Sequence, residues 1–286
     1  MFRQNHTINI NGQIFALDKP IIMGILNLTP DSFYDGGKYL TDGKIKARVS
    51  QMISEGVDII DVGGMSSRPG STEISENEEW ERLKKGLECI RDIETKIPIS
   101  IDTYRTEIVR KSVENFNVDM INDISGGTFD PEMPNLIAEI QRPYVLMHMA
   151  GKPDTMQDNP LEKNVLKEVM TYFHRKLYEL HQAGVHDIII DPGFGFGKTI
   201  KANYMMLNYL DRFHIFERPI LCGFSRKGMI YKTLETTAAE SLNGTTVLNS
   251  IALSKGCQLL RVHDVKAAKE TILLSELTKS QVNTEW

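Results

Sequence analysis

Ile188-Ile189-Ile190-Asp191-Pro192-Gly193-Phe194-Gly195-Phe196-Gly197-Lys198 contains the reading that decides the fold: a short apolar run ends in a carboxylate, and a glycine-rich loop leads on toward a helix. Consecutive β-branched residues bounded by a turn signal read as a buried strand. The same order recurs seven times, with apolar runs at 21–26, 57–60, 97–101, 118–121, 144–147, 219–222 and 258–260. The polar residues that close the eight runs are Asn27, Asp61, Asp102, Asn122, His148, Asp191, Ser225 and Arg261, with successive gaps of 34, 41, 20, 26, 43, 34 and 36 residues. Each gap holds about one strand and one helix, which predicts an α/β chain folded as a (β/α)8 TIM barrel. The carboxyl ends of all strands in such a barrel open onto one face, where the chemistry is done. Eight polar side chains far apart in sequence are therefore expected around one pocket.

Between the runs, apolar residues recur at helical spacing. Ile45, Val49, Met52 and Ile53 form one stripe, Trp80, Leu83, Leu87 and Ile90 a second, and Ile108, Val109, Val113 and Phe116 a third. A short helix opens at Pro131 and ends before Arg142-Pro143, because a residue preceding proline disfavours the α region. Leu166, Val169, Met170, Phe173, Leu177 and Leu180 make the clearest stripe, and Val265, Ala268, Ile272 and Leu273 the last. Ahead of the barrel, residues 7–10 and 13–17 flank Asn11-Gly12, a pair suited to a type I′ turn, so a hairpin at 7–17 is expected to close the barrel bottom. No linker or compositional break divides residues 1–286, which read as one domain.

The chain has 286 residues, 41% apolar and 25% charged, enough for a large core. With 38 acidic and 33 basic residues the net charge is −5, which argues against a nucleic-acid partner and requires any anionic substrate to find a local basic cluster. The three cysteines, Cys89, Cys222 and Cys257, sit in apolar segments and read as reduced, packed thiols. No apolar leader pattern or 18-residue apolar run is present, so no membrane association and a cytoplasmic location are expected.

Two long loops follow the first two strands, at residues 28–40 and 63–75, and loops of this length are often functional. The first mixes aromatic residues with carboxylates; the second carries Arg68 among hydroxyls and turn-formers. Both read as mobile lids over the pocket. In the loop after Ile190, Phe194 and Phe196 are placed to wall a flat ligand, and Asp191 either caps the next helix or accepts paired N–H donors from a heterocycle. Arg261 and His263, two apart, point to one side of an extended segment and, with Arg68, predict an anion clamp.

Taken in order, Met23-Gly24-Ile25-Leu26-Asn27-Leu28-Thr29-Pro30-Asp31-Ser32-Phe33, Ser67-Arg68-Pro69-Gly70, Ile101-Asp102-Thr103, Ile121-Asn122-Asp123-Ile124, Met147-His148-Met149, Asp191 to Gly197, Ser225-Arg226-Lys227 and Arg261-Val262-His263-Asp264 resemble the dihydropteroate synthases. The resemblance spans residues 21–264, and its first segment and the Asp-Pro-Gly-Phe-Gly loop are its most specific parts. It implies condensation of 6-hydroxymethyl-7,8-dihydropterin pyrophosphate with 4-aminobenzoate, inhibition by sulfonamides, and a homodimer. By the same resemblance, Asp102, Asn122, Met147, Asp191, Phe196 and Lys227 take the pterin. Asn27, Ser67, Arg68, Arg261 and His263 take the pyrophosphate, with Asn27 ligating Mg2+, while Phe33, Pro69, Ser225 and Lys227 surround the aminobenzoate. Asn27, Asp35, Arg68 and Lys227 are the residues it marks as catalytic. The chain departs from the family's usual Gly-Gly-Glu-Ser-Thr-Arg-Pro-Gly at Met65 and Ser67; Ser67 keeps a hydroxyl, whereas Met65 removes a carboxylate.

Other readings of the same residues are a pterin-barrel methyltransferase, which needs the carboxylates and no pyrophosphate clamp, and a barrel aldolase with Lys227 as Schiff-base lysine. A third is a pterin-binding partner without turnover.

Overall fold

The structure is a computed structural model and describes residues 6–29, 41–66 and 73–281. β1 (Thr7–Ile10) and β2 (Gln13–Ala16) form an antiparallel hairpin. Its turn residues Asn11 and Gly12 have φ of 51° and 79°, the left-handed pair that a type I′ turn requires. The barrel follows as β3 (Ile21–Asn27), α1 (Asp42–Ser54), β4 (Ile59–Gly63), α2 (Glu76–Ile93), β5 (Ile99–Asp102), α3 (Thr106–Phe116), β6 (Met120–Asp123) and α4 (Met133–Ile140). It continues through β7 (Tyr144–Met147), α5 (Val165–Gln182), β8 (Ile188–Asp191), α6 (Ile200–Asn208), a 3-10 helix (Leu210–Phe216), β9 (Leu221–Cys222), α7 (Gly228–Tyr231), α8 (Leu242–Ser254), β10 (Leu259–Val262) and α9 (Val265–Gln281).

The eight strands from β3 to β10 pair in parallel in the order β8-β7-β6-β5-β4-β3-β10-β9. A parallel bridge between Ile190 and Ile220, with the Ile190 N–H donating to the Pro219 carbonyl at 2.9 Å, joins the two end strands and closes the (β/α)8 barrel.

Side chains alternate across each strand. The outward set, including Ile22, Ile60, Ile99, Ile101, Ile121 and Ile190, packs against the helices in one continuous core. The inward set begins apolar: Ile21, Met23, Ile59, Met120, Val145, Ile189, Leu221 and Leu259 cluster with Ile8, Ile10 and Leu17 of the hairpin. The hairpin therefore closes the amino-terminal end of the barrel, as the turn chemistry predicts. Two residues further along, the inward row changes character. Asp61 follows Ile59, Asn122 follows Met120, Met147 follows Val145, Asp191 follows Ile189 and Arg261 follows Leu259. The barrel is thus dry below and polar above.

Several elements differ from the sequence reading. β4 is Ile59–Gly63 rather than 57–60. Gly56, at φ 86°, turns the chain out of α1, and the Val57 N–H still answers the Met52 carbonyl, so Val57 belongs to the helix exit. Asp61 consequently lies inside the strand instead of ending it. α4 starts at Met133, with Pro134 in its first turn, because residues 131–132 form a turn ahead of it. Leu273 is exposed and does not join Val265, Ala268 and Ile272 against the barrel, since it lies one residue, about 100°, around α9 from Ile272. Cys89, Cys222 and Cys257 are buried free thiols.

Candidate active site

Four strands bring their inward polar residues to one layer. Arg261 lies at its centre. Its Nε donates to Asp61 Oδ2 at 2.7 Å and its Nη2 to Asp102 Oδ2 at 2.6 Å. Asn122 Nδ2 donates to the same Asp61 oxygen at 3.1 Å. Asp61 is fully buried, and its second oxygen, Oδ1, has no hydrogen-bond partner among the described residues. An unpaired buried carboxylate oxygen is costly, so this atom marks where a ligand N–H belongs. Burial pushes the Asp102 carboxyl up to about 7, against the opposing pull of the Arg261 guanidinium. Desolvation likewise raises Asp191, with Lys227 pulling it back down.

Above this floor stands the β8 loop. Asp191 accepts the Gly193 N–H at 2.7 Å, while α6 is capped by Thr199, whose side chain accepts from the Ala202 N–H. Asp191 is therefore no helix cap. Lys227 Nζ donates to the Phe194 carbonyl at 2.6 Å and lies 4.6 Å from the centre of the Phe196 ring. Burial lowers the Lys227 ammonium to about 8, opposed first by Asp191. The two phenylalanines separate in role. Phe194 is fully buried against Phe224, with ring centroids 4.5 Å apart, and belongs to the core. Phe196 stays partly exposed, with the Lys227 ammonium against its ring. Met147 is buried outside both apolar clusters, directly above Val145.

The expected clamp is rearranged. Arg261 is engaged by acids at the floor rather than placed above them. His263 Nδ1 meets Ser225 Oγ at 2.9 Å, and the same hydroxyl accepts the His263 main-chain N–H at 3.1 Å. The hydroxyl keeps a second lone pair, so it donates to Nδ1 or accepts from it according to the ring tautomer. Burial, then Arg261 and Arg226, lowers His263 to about 3, so it enters the site as a neutral ring and not as a cation. Arg226, at φ 58°, forks onto Asp264 at 2.7 and 3.1 Å and ties the β9 and β10 loops together. Asn27 ends β3 partly exposed, and a Cβ added at Gly63 would lie 3.5 Å from its Oδ1. The absence of a side chain at Gly63 leaves that oxygen open.

Phe33, Asp35, Ser67, Arg68 and Pro69 lie outside the described residues, as do residues 30–40 and 67–72 of the two loops. Asn27, Asp102, Asn122, Met147, Asp191, Phe196, Ser225, Lys227, Arg261 and His263 all stand at the carboxyl end of the barrel. Asp61 is the site residue that motif reading misses. It closes one of the eight apolar runs of the sequence, but it lies in none of the segments that carry the family resemblance. Beside the mouth, Glu79 is fully buried yet holds Thr103 Oγ1 at 2.7 Å and Arg105 Nη1 at 2.9 Å. Arg105 also reaches Glu73 at 2.9 Å and the Ile74 carbonyl at 2.8 Å, so residues returning from the second loop are anchored here. Tyr104 OH bridges Glu73 and the Met65 sulfur at 3.1 and 3.6 Å, which places a carboxylate near the position where Met65 lacks one.

Gly193→Ala is expected to be among the most damaging single-methyl changes. Its φ is 69°, and a Cβ there would lie 1.9 Å from the His148 carbonyl oxygen. Left-handed strain and overpacking together cost about 3 kcal/mol. Urea unfolding should show that loss; an unchanged midpoint at unchanged slope would contradict the packing described.

A closed barrel whose carboxyl-end mouth gathers carboxylates, an amide and cations has the form of an enzyme site for a polar ligand. The pterin binding enzyme family matches residues 23–263. Dihydropteroate synthase of Escherichia coli K12 is 40% identical over 271 residues, covering 94% of this chain and 95% of the relative. A Yersinia pestis dihydropteroate synthase solved with a sulfonamide drug superposes with TM-score 0.90 at 34% identity, covering 96% of this chain and all of that one. The Xanthomonas albilineans dihydropteroate synthase solved with 4-aminobenzoic acid gives TM-score 0.89 at 33% identity, over 96% and 99% of the two chains. The chain belongs to the pterin binding enzymes and, within them, to the dihydropteroate synthases, transferases of folate synthesis.

Proposed function

We propose that this chain joins 6-hydroxymethyl-7,8-dihydropterin pyrophosphate to 4-aminobenzoate by dissociative substitution, with the Asp61–Arg261–Asp102–Asn122 layer as the pterin floor. The observation that carries this reading is the open Oδ1 of Asp61 beside the raised carboxyl of Asp102. A dihydropterin presents an amide-and-amidine edge of alternating donors and acceptors, which carboxylates and an asparagine amide read in both directions. Asp191 and Lys227 take the next positions, and Met147 and Phe196 flank the ring. As the C–O bond breaks, positive charge spreads from the methylene into the ring, and anionic Asp102 and Asp191 stabilise it. The arylamine is already nucleophilic, so positioning replaces a strong general base. In this reading Ser225 and Lys227, together with Phe33 and Pro69 by family resemblance, take the aminobenzoate, and Asp35 is assigned a catalytic role on the same ground.

His263, Ser67 and Arg68 receive the pyrophosphate. Asn27 offers one amide oxygen, and among the described residues no group of three or more His, Cys, Asp or Glu side chains could hold a metal. That donor set fits Mg2+, which keeps waters and binds mainly through substrate phosphates. When bound, Mg2+ neutralises charge on the leaving group.

A pyrophosphate-release assay with both substrates tests the reading. Product formed only when both are present supports it, whereas methyl transfer without pyrophosphate release supports the methyltransferase alternative. Arg68→Ala should lower kcat/KM by about 10²-fold through lost charge stabilisation, and wild-type kinetics would remove Arg68 from the clamp. The pH profile of kcat/KM follows from the two shifted groups. Falling pH protonates Asp102 near 7, and rising pH removes the Lys227 proton near 8, so a narrow bell centred between them is expected. A flat profile from pH 6 to 9 would contradict both roles.

The chain also acts as a homodimer in this reading. α8 and α9 pack side by side, and Val247 and Ile251 of the first and Leu273, Leu274 and Leu277 of the second are exposed apolar residues, which supports a face for a second copy. Sedimentation velocity should give a dimer, and Leu273→Glu with Leu277→Glu a monomer. No described helix is long and apolar enough to cross a membrane, and three buried free thiols suit a reducing compartment, which supports the cytoplasm as its place.

A further inference from the structure

Two lysines grip the β8 loop, and the reaction described above uses only Lys227. Lys198 is 3% exposed and lies on the other side of that loop. Its ammonium donates to the carbonyls of His148 at 3.1 Å, Gly193 at 2.8 Å and Phe196 at 3.0 Å. Three hydrogens meet three acceptors, and a neutral amine, with two hydrogens, would turn its lone pair onto the third carbonyl. Burial draws Lys198 down to about 7, while Asp191 opposes that shift. The three carbonyl dipoles add to Asp191 in holding the proton.

The backbone is shaped around this ammonium. A Cβ on Gly193 would meet the His148 carbonyl at 1.9 Å and Lys198 Nζ at 3.3 Å, and one on Gly197, at φ 63°, would meet the Ala150 carbonyl at 2.0 Å. The β8 loop therefore lies flat on the segment after β7, with Lys198 joining the two. Gly193 is held from both ends: its carbonyl by Lys198, its N–H by Asp191 at 2.7 Å. Lys227 takes the Phe194 carbonyl, which lies in sequence between the two loop carbonyls, of Gly193 and Phe196, that Lys198 holds.

We propose that Lys198 is a positioning residue for Asp191: through Gly193 it sets the carboxylate that meets the pterin, and it keeps a cation behind that carboxylate when Lys227 turns to the substrate. This rests on the reading of Asp191 as a pterin group. Lys198 touches no substrate, and its effect is confined to the pterin half of the reaction. The loop carbonyls stay held by Lys198 while Lys227 exchanges Phe194 for ligand.

The test is a double-mutant cycle on the full-length enzyme, read by calorimetry with a non-reactive pterin and by the KM for 4-aminobenzoate. Lys198→Met should weaken pterin binding about tenfold and change the aminobenzoate KM less than twofold. In an Asp191→Asn background the same substitution should cost less than twofold, because its effect passes through that carboxylate. If Asp191→Asn leaves pterin affinity unchanged, the assignment of Asp191 fails. If Asp191→Asn weakens binding and Lys198→Met does not, or if Lys198→Met costs as much in both backgrounds, only the inference about Lys198 fails. A measurement on the unaltered enzyme stands independently of whether the variants fold. Nitrogen-detected NMR of the lysine Nζ should show Lys198, faced by Asp191, Lys227 and His148, as an ammonium at pH 6 with slowly exchanging hydrogens. A neutral amine there would overturn the proposal.

Discussion

Arg261→Ala is expected to lower kcat/KM by more than about 10²-fold and to destabilise the fold by about 3–5 kcal/mol. Both effects come from one geometry. The guanidinium is the counter-ion of Asp61 and Asp102, at 2.7 and 2.6 Å, in a layer where the Asp61 side chain is fully buried. Removing it leaves two carboxylates facing each other without a cation, and one must take up a proton or the layer must open. The stability loss then has a definite pH dependence. A carboxyl whose folded pKa rises above its unfolded value destabilises the fold above the unfolded value, increasingly until the folded one is passed. The difference from wild type should therefore shrink as pH falls toward 4 and be largest at neutral pH. Urea titrations at pH 4.5 and 7.5 read this directly. An equal loss at both values would mean that the guanidinium acts by packing alone.

Asp61→Ala is the second large effect, and the one that motif reading does not suggest. Asp61 holds Arg261 Nε and Asn122 Nδ2 on a single oxygen. Its removal leaves the guanidinium paired with Asp102 alone and frees the Asn122 amide. Pterin affinity should fall by about 10²-fold, because the ligand loses a charge-assisted hydrogen bond and two neighbouring side chains shift out of place. Combined with Arg261→Ala, the two effects should not add, because each substitution already breaks the same pair. Full additivity in pterin affinity, measured by calorimetry, would separate Asp61 from the floor.

Much of the fold was legible because a parallel strand buried on both faces leaves an unbroken apolar run. Ile188 to Ile190 and Tyr144 to Met147 carry that signal within four residues or fewer. The helices were legible through their stripes, and the hairpin through Asn11-Gly12, whose two positive φ values have few other uses. Strand ends were less legible. A buried polar residue at the end of an apolar run belongs to the strand when a neighbouring strand pairs with it, as Asp102 pairs with Gly63 and Asn122, and that depends on the neighbour.

The amino-acid sequence by itself determined the barrel, the ring of polar strand ends and, through the motifs around Asn27, Asp191 and Arg261, the family chemistry. Only the tertiary structure decided how those groups divide the work. Whether Arg261 faces an anion or two acids, whether His263 is charged, and whether Phe194 walls a pocket or fills a core all depend on what lies across the barrel. These are properties of pairs separated by up to 200 residues in the chain, as Asp61 and Arg261 are. Periodicity and spacing act along the chain, whereas the dielectric and the counter-charges that set a side chain's role come from residues on other strands.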